Sequence, residues 1–338
     1  MRIEYPALGR PAGTLTAVVL LLFATLGLSG CMVKEMADNL VYTVRGDYYL
    51  RSGDPVAGEA YFRQQVVAQP ENAASNYYYG RLLLRERNAG RALPYLQKAT
   101  ALRPESSDYQ FWLGVAYGLL DQGRQERVHY QQALRIDSTN EQALVALGHS
   151  FMRSHQYGQA LATYGRALSL WPENPVALYN RGLALTRLGQ KNEARRAWLG
   201  YLQANSSGEL ASTAVDHLNT LGDFSYRNYF LGSRVVAVQA VRFVEGGAAV
   251  APESVSTVVQ IGEVAARQPA RILQIVVYRG GDARLAKARA LGIRQLLLAK
   301  VPGLSASRVG VSWFGQPWRN SRKKWYKEEA VDFFLTDR

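Results

Sequence analysis

An all-α solenoid of five helix pairs closed by a capping helix, followed by a smaller α+β domain, is the fold class this 338-residue sequence predicts. Two observations carry it. Between Asn39 and Gly208 five glycines, Gly46, Gly80, Gly114, Gly148 and Gly182, recur at one constant interval. A fixed period of that size marks stacked supersecondary units. From about Arg234 the pattern changes to β-rich and helical segments in alternation, which reads as a separate α+β unit.

Other positions repeat in phase with the glycines. Twelve residues on come Gly58, Ala92, Glu126, Ala160 and Ala194; sixteen on come Phe62, Leu96, Tyr130, Tyr164 and Trp198; nineteen on come Gln65, Ala99, Ala133, Ala167 and Tyr201. Pro70, Pro104 and Pro172 stand twenty-four on, with Ser138 and Ser206 in the other two units. Small residues allow the two helices of a unit to approach, the large residue fills the space to the next unit, and proline ends the second helix because it lacks an N–H. This helix–turn–helix repeat resembles the tetratricopeptide repeat (TPR) superfamily. The resemblance implies a binding scaffold, and a fold by itself names no ligand.

In that superfamily one set of first-helix positions lines a concave groove. Five residues after the glycines stand Arg51, Arg85, Leu119, Arg153 and Arg187, a ladder of four arginines. One residue after stand Asp47, Arg81, Val115, His149 and Leu183. Three before stand Tyr77, Phe111, Val145 and Tyr179. The functional reading is a basic, aromatic groove for an acidic or C-terminal protein segment, because arginine binds carboxylates through a planar fork and aromatics anchor interfaces. The alternative reading gives the arginines to solubility and most of the aromatics to packing between helices. After Gly208 the phase fails, since Asp216 stands where a sixth glycine would fall. Glu209 to Leu221 reads as the capping helix a solenoid needs, and Gly222 with Phe224 to Phe230 as a hinge.

The N-terminus reads as an export signal: basic residues Arg2 and Arg10, then an apolar run from Thr14 to Leu28, shorter than a comfortable membrane span. It ends Leu28-Ser29-Gly30-Cys31, and Cys31 is the only cysteine in the chain. This resembles the lipobox of bacterial lipoproteins. The resemblance implies cleavage before Cys31, acyl chains on that residue and, with Met32 next, placement in the outer membrane facing the periplasm. The domains expected are a signal peptide (1–30), a lipidated tether (31–38), the solenoid (39–222) and the α+β domain (223–338).

In the last third, Val235 to Phe243, Arg271 to Tyr278, Val309 to Trp313 and Ala330 to Leu335 read as strands. Helices from Pro252 to Arg267 and from Asp282 to Lys300 separate the first three. The order is βαβαββ. Val241-Arg242-Phe243 through Pro252-Glu253, Leu285-Ala286-Lys287-Ala288-Arg289-Ala290 and Ser307-Arg308-Val309 resemble stretches of the OmpA-like domain. That resemblance implies an arginine, here Arg289, and an aspartate that together hold a peptidoglycan stem peptide. The aspartate has no counterpart: Tyr278-Arg279-Gly280-Gly281 occupies its place, and Asp282 reads as a helix cap. The last strand reads Glu328-Glu329 where the family has paired arginines.

The net charge is +13, and from Asp223 onward 18 Lys+Arg stand against 9 Asp+Glu. Trp318 to Lys327 concentrates basic and aromatic residues. Arg322, Lys323, Lys324 and Trp325, with Arg279 and Arg289, are the candidate glycan or anion contacts, against the reading of a solvated hairpin. An exported chain makes nucleic acid an unsuitable partner. No metal-ligand spacing, phosphate loop or nucleophile motif is present, so neither a cofactor nor an enzymatic activity is expected. Two functions follow from the resemblances: a scaffold for an envelope machine such as a pilus or secretion system, or a tether from outer membrane to cell wall.

Overall fold

The computed structural model describes residues 30–52, 54–320 and 325–337; the expected signal region lies outside them, apart from Gly30. The chain forms two compact units, one ending at His155 and the other starting at Gln156.

Among its described residues the first unit holds seven helices: α1 (Gly30–Ser52), α2 (Pro55–Ala68), α3 (Ala73–Arg85), α4 (Ala89–Leu102), α5 (Ser107–Leu119), α6 (Gly123–Ile136) and α7 (Glu141–Arg153). Residues 31–38, expected as a tether, are continuous with α1. The start of each repeat is written in its caps. Asn72, Ser106 and Asn140, and Asn174 in the second unit, recur at the glycine interval. Each accepts a hydrogen bond from the backbone N–H three residues on, at 2.9, 3.3, 2.9 and 2.8 Å. Such a side chain satisfies one of the donors a helix leaves free at its start. The turn inside each repeat is equally regular. Arg87, Asp121 and His155 have φ near +60°, and Gly189, in the next place of that series, has φ +71°. At Arg87, Asp121 and Gly189 this left-handed residue ends the first helix of the pair and aims the second back along it.

The phased glycines do what their size allows, with one correction. At Gly80, Gly114 and Gly182 the large residue sixteen places on rests on the glycine of its own repeat, whereas Gly46 is met by Tyr78 of the next repeat, on which Phe62 also stacks. A Cβ on Gly114 would lie 2.7 Å from the Tyr130 ring, and one on Gly80 2.6 Å from Leu96. The core of the first unit is rich in stacked rings, with Phe62 on Tyr78 (5.6 Å), Tyr77 on Tyr109 (4.3 Å) and Phe111 on Tyr130 (5.7 Å).

The second unit opens with α8 (Tyr157–Leu170), α9 (Pro175–Arg187), α10 (Lys191–Ala204) and the capping helix α11 (Glu209–Thr220). The expected hinge is a strand. Gly222, at φ +78°, ends α11, and β1 (Tyr226–Leu231) then pairs antiparallel with β2 (Arg234–Gln239) in register Tyr226↔Gln239 to Leu231↔Arg234. The hairpin is tied to the end of the helical array: Ala237 N–H donates to Ser206 C=O at 2.8 Å. Tyr226 and Ala237 share one buried core with Trp198, Leu202, Ala214 and Leu218.

Beyond the hairpin come α12 (Val255–Ala266), β3 (Arg271–Arg279), α13 (Ala283–Lys300), β4 (Val309–Phe314), a short hairpin of β5 (Trp318–Asn320) and β6 (Trp325–Lys327), and β7 (Glu329–Asp337). β3 is central, parallel to β4 and antiparallel to β7. The expected opening strand ends early: β2 stops at Gln239 and pairs with β1 rather than with this sheet. Val258, Ile261, Ile293 and Leu297 of the two helices pack with Leu273, Ile275 and Val277 of β3 and with Val331 and Phe333 of β7 in one apolar core. Leu273, Ile275 and Val277 alternate into this core, as the pleat of a strand requires, and Val276 between them is buried as well. Asp282 caps α13 as expected, accepting from Leu285 N–H at 2.8 Å.

Candidate functional site

The groove rows separate into buried, committed and available residues. Tyr77 and Phe111, expected as an accessible stripe, are core residues with 3% and 7% of their surface exposed. Their rings are used in the stacks described above, and burial pushes the Tyr77 hydroxyl well above its ordinary value. Val145 and Tyr179 are half-buried. The Tyr179 ring meets Trp198 and Tyr201 edge-on, at 5.1 and 5.4 Å.

Two members of the arginine ladder are taken up internally. Arg85 donates to the carbonyls of Tyr49 (3.1 Å) and Leu50 (2.7 Å) near the end of α1, where a cation offsets the negative end of the helix dipole. Arg153 holds Glu126, with Nη2 2.6 Å from both carboxylate oxygens. Glu126 stands in the small-residue row, where the other repeats carry Gly58, Ala92, Ala160 and Ala194, and it is 2% exposed. Ser150 Oγ also donates to it, at 2.8 Å. Gly118 makes the room, since a Cβ there would lie 2.6 Å from Glu126 Oε1. The visible signal was a pair of breaks in phase: a carboxylate where alanine recurs, and a glycine eight residues before it where the other repeats carry Leu50, Leu84, Met152 and Thr186. Arg51 and Arg187 are exposed.

What remains available on the first unit centres on Arg81. Its guanidinium lies 4.2 Å over the Trp112 ring and 5.3 Å from the Tyr77 ring. Nη1 donates to Tyr77 Oη at 3.1 Å, while Nε is buried with no hydrogen-bond partner among the described residues. An arginine held flat on aromatic faces keeps its charge and loses little freedom on meeting a carboxylate. The same row contributes half-buried Val115 and His149. Burial, and then the nearby Arg153 charge, holds His149 below the ordinary histidine value.

In the sheet region Arg289 is not open to an anion. Its side chain is 5% exposed, and Nη1 lies 2.6 Å from Glu329 Oε2. Nε donates to Gly247 C=O at 2.9 Å, and the guanidinium rests 4.3 Å over Phe243. Arg279 stands 3.8 Å from the same Glu329 oxygen. One acidic residue of the last strand therefore answers both cations expected to meet a ligand, which corrects their assignment as an anion site. Glu329 and Phe243 line a cavity of about 330 Å³ with Arg227, Arg242 and Val331. Arg322, Lys323 and Lys324 lie outside the described residues, and Trp325 opens β6. A wider cleft of about 790 Å³ lies between the loop before α11, the β1–β2 hairpin and α12, with Glu209, Phe230, Arg234 and Arg267 among its lining residues.

A tetratricopeptide-repeat family model matches residues 43–107, 80–140 and 145–209. Residues 43–209 carry tetratricopeptide repeats. Three solved structures illustrate the likeness of the helical region. MamA is 21% identical with TM-score 0.45, covering 47% of this chain and 93% of its own. YrrB, described as a TPR protein with an unusual peptide-binding site, is 15% identical with TM-score 0.46, covering 53% and 90%. PilW, described as a type IV pilus biogenesis factor, is 18% identical with TM-score 0.48, covering 54% and 86%. The helical region thus carries TPR repeats by the family match, a small sheet-containing region follows it, and TPR arrays are protein-interaction scaffolds. No helix among the described residues is long and apolar enough to cross a membrane.

Proposed function

We propose that this chain is a lipid-anchored scaffold of the bacterial outer membrane, facing the periplasm, whose TPR groove holds a protein partner of an envelope machine such as a pilus or secretion system. The observation that carries the reading is the joining of two features in one chain: TPR repeats over residues 43–209, and a sole cysteine, Cys31, placed directly after an apolar leader-like run. The anchor places the array and the groove selects the partner. Arg81 on Trp112 is the contact best built for a carboxylate-bearing segment. The sheet region is read as a diverged OmpA-like domain that makes protein contacts. The tether reading, with peptidoglycan held by that domain, is disfavoured because Glu329 already answers Arg289 and Arg279.

Two experiments test the reading. Palmitate labelling of the whole chain in cells should be abolished by Cys31→Ala. A photo-crosslinking residue in place of Val115, beside Arg81 in the groove row, should give one discrete adduct that Arg81→Glu removes. The same probe at exposed Val128 should give none. Unlabelled wild-type chain would sink the anchor, and no adduct from the groove position would sink the scaffold. Retention of the whole chain on purified sacculi that survives raised salt and is lost in Arg289→Ala would favour the tether instead.

A further inference from the structure

The first helix is apolar on two sides, and only one of them is covered by the repeats. Tyr42 and Gly46 of α1 are buried against the following helices: Tyr42 meets Phe62 ring to ring at 6.1 Å and donates its hydroxyl to Gln65 Oε1 at 3.0 Å. The other side carries Met36, Leu40, Val44 and Tyr48, spaced by four, with Val41 beside them. They are exposed, Leu40 by 60%, Val44 by 62% and Tyr48 by 64%. Four-residue steps drift by about 40° each around a helix, so these side chains make one stripe about 120° wide. Asp47, at its border, accepts a hydrogen bond from Tyr78 Oη at 3.2 Å. A solenoid ordinarily ends in a polar face. The first described helix carries an apolar face instead.

We propose that this stripe lies on the membrane, as an interfacial helix that seats the array against the lipid surface. The placement rests on the anchor reading given above. Chain outside the described structure, with its apolar run from Thr14 to Leu28, ends directly at α1. The helix runs unbroken from Gly30, so the acylated Cys31 would stand five residues from Met36, about 7.5 Å along the axis. With no linker between anchor and stripe, lipid chains at Cys31 hold the stripe at the depth where such helices settle, about 5–10 Å into the headgroup boundary. Exposed Lys34 and Arg45 flank the stripe. They suit anionic headgroups, as does the excess of positive charge on the chain. The helix thus acts as a second membrane contact beside the acyl chains.

The test separates stripe from acylation. The chain from residue 31 on, made with Cys31→Ser so that no lipid can attach, is floated with vesicles of phosphatidylethanolamine and phosphatidylglycerol. It should float with the vesicles, and Leu40→Ser/Val44→Ser, which removes about five apolar carbons, should partition up to about a thousandfold more weakly, given about 0.8 kcal/mol per buried CH₂. Leu119→Ser, an equally exposed leucine elsewhere, should leave flotation unchanged. Circular dichroism checks that all three chains keep their helices. Absence of flotation, equal flotation of the double variant, or a parent chain that sediments as a dimer the double variant dissociates would each overturn the proposal. Loss of the anchor is read separately by palmitate labelling of the full chain. A labelled chain whose unacylated form ignores vesicles removes only the stripe, and an unlabelled chain whose unacylated form floats removes only the anchor.

Discussion

The helical repeats and the C-terminal sheet both have to hold helices against neighbours, and they do it by opposite means. In the repeats the contact is apolar and set by size: glycine or alanine on one helix receives a ring or leucine from the other. In the sheet region arginines bind the loops. Arg308, 6% exposed, donates to four carbonyls, those of Ala265 (2.7 Å), Gln268 (2.9 Å), Arg271 (3.2 Å) and Gly303 (3.3 Å), and so ties the end of α12 to the start of β3. Arg294 joins α13 to the carbonyls of Ala306 and Val309. A basic composition in this region is therefore partly structural, and net charge alone overstates what is free to bind an anion.

The largest effect should come from removing such an arginine. Arg308→Ala leaves several buried carbonyls without a donor and should cost about 3 kcal/mol. Arg85→Ala, which removes an exposed contact to two carbonyls of the repeats, should cost only about 0.5 kcal/mol. Urea unfolding of the two variants against the parent measures the contrast. Equal losses would mean that the two regions do not differ in the way the contacts indicate.

The repeats contain one exception to their own rule, and it offers the next largest effect. The Arg153–Glu126 pair places the carboxylate inside and the cation outside, with 3% and 59% of their side chains exposed; in the Arg289–Glu329 pair the arginine is the inner partner, at 5% against 32%. Arg153→Ala strands a buried carboxylate and should cost about 2 kcal/mol or more. Adding Glu126→Ala should recover most of that loss, because alanine is the residue three other repeats use at this position. Denaturation midpoints of the two singles and the double form the cycle. A double variant no better than Arg153→Ala would show that the pair is not a self-contained insertion into an apolar row.

The same contrast explains what could be read before the structure. The repeat region was legible because its signal is local and recurs: one glycine period and its companion rows fix helix order and pairing. The capping series at Asn72, Ser106, Asn140 and Asn174 recurs with the same period. The candidate sites were less legible. Whether Tyr77 points into a groove or into a ring stack depends on Tyr109, in the following repeat. Whether Arg289 is free depends on Glu329, two strands further along the chain's sheet. The missing paired arginines and the glutamates in their place were visible, but only the fold brought that carboxylate against the guanidinium. The β1 strand reads as a hinge because its aromatic run has no clean alternation, and its buried residues face two cores, Tyr226 that of the capping helix and Tyr229 and Leu231 that of the sheet.

A smaller effect tests the size rule directly. Gly182→Ala places a Cβ 2.8 Å from the Trp198 indole, a rigid and fully buried ring. It should lose about 1–2 kcal/mol by overpacking despite the better helix propensity of alanine. Gly165, mid-helix with open space around it, should respond in the other direction, Gly165→Ala gaining about 0.5–1 kcal/mol. Thermal unfolding of the pair reads the difference. Two gains would mean that the Trp198 contact does not limit the approach of α9 and α10.

The smallest expected effect concerns pH, and it is confined to one side of the comparison. All four histidines, His129, His149, His155 and His217, precede the sheet region. Burial holds His129, His149 and His217 below the ordinary value. His129 stacks on Tyr117 at 5.2 Å and bonds Gln110 at 2.9 Å, and His217 stacks on Trp198 at 4.5 Å. A depressed histidine binds fewer protons folded than unfolded. Its contribution is therefore complete above the unfolded value of about 6.5 and is lost as pH falls from there through the folded value. Amide protection in α5 to α7, corrected for the intrinsic exchange rate, should thus fall between about pH 7.5 and 5.5, while that of β3 holds. Substituting His129→Gln should flatten part of the slope in α5 and α6. An equal loss of protection in β3 would trace the pH response to carboxylates shared by both regions, and the repeats would lose their claim to it.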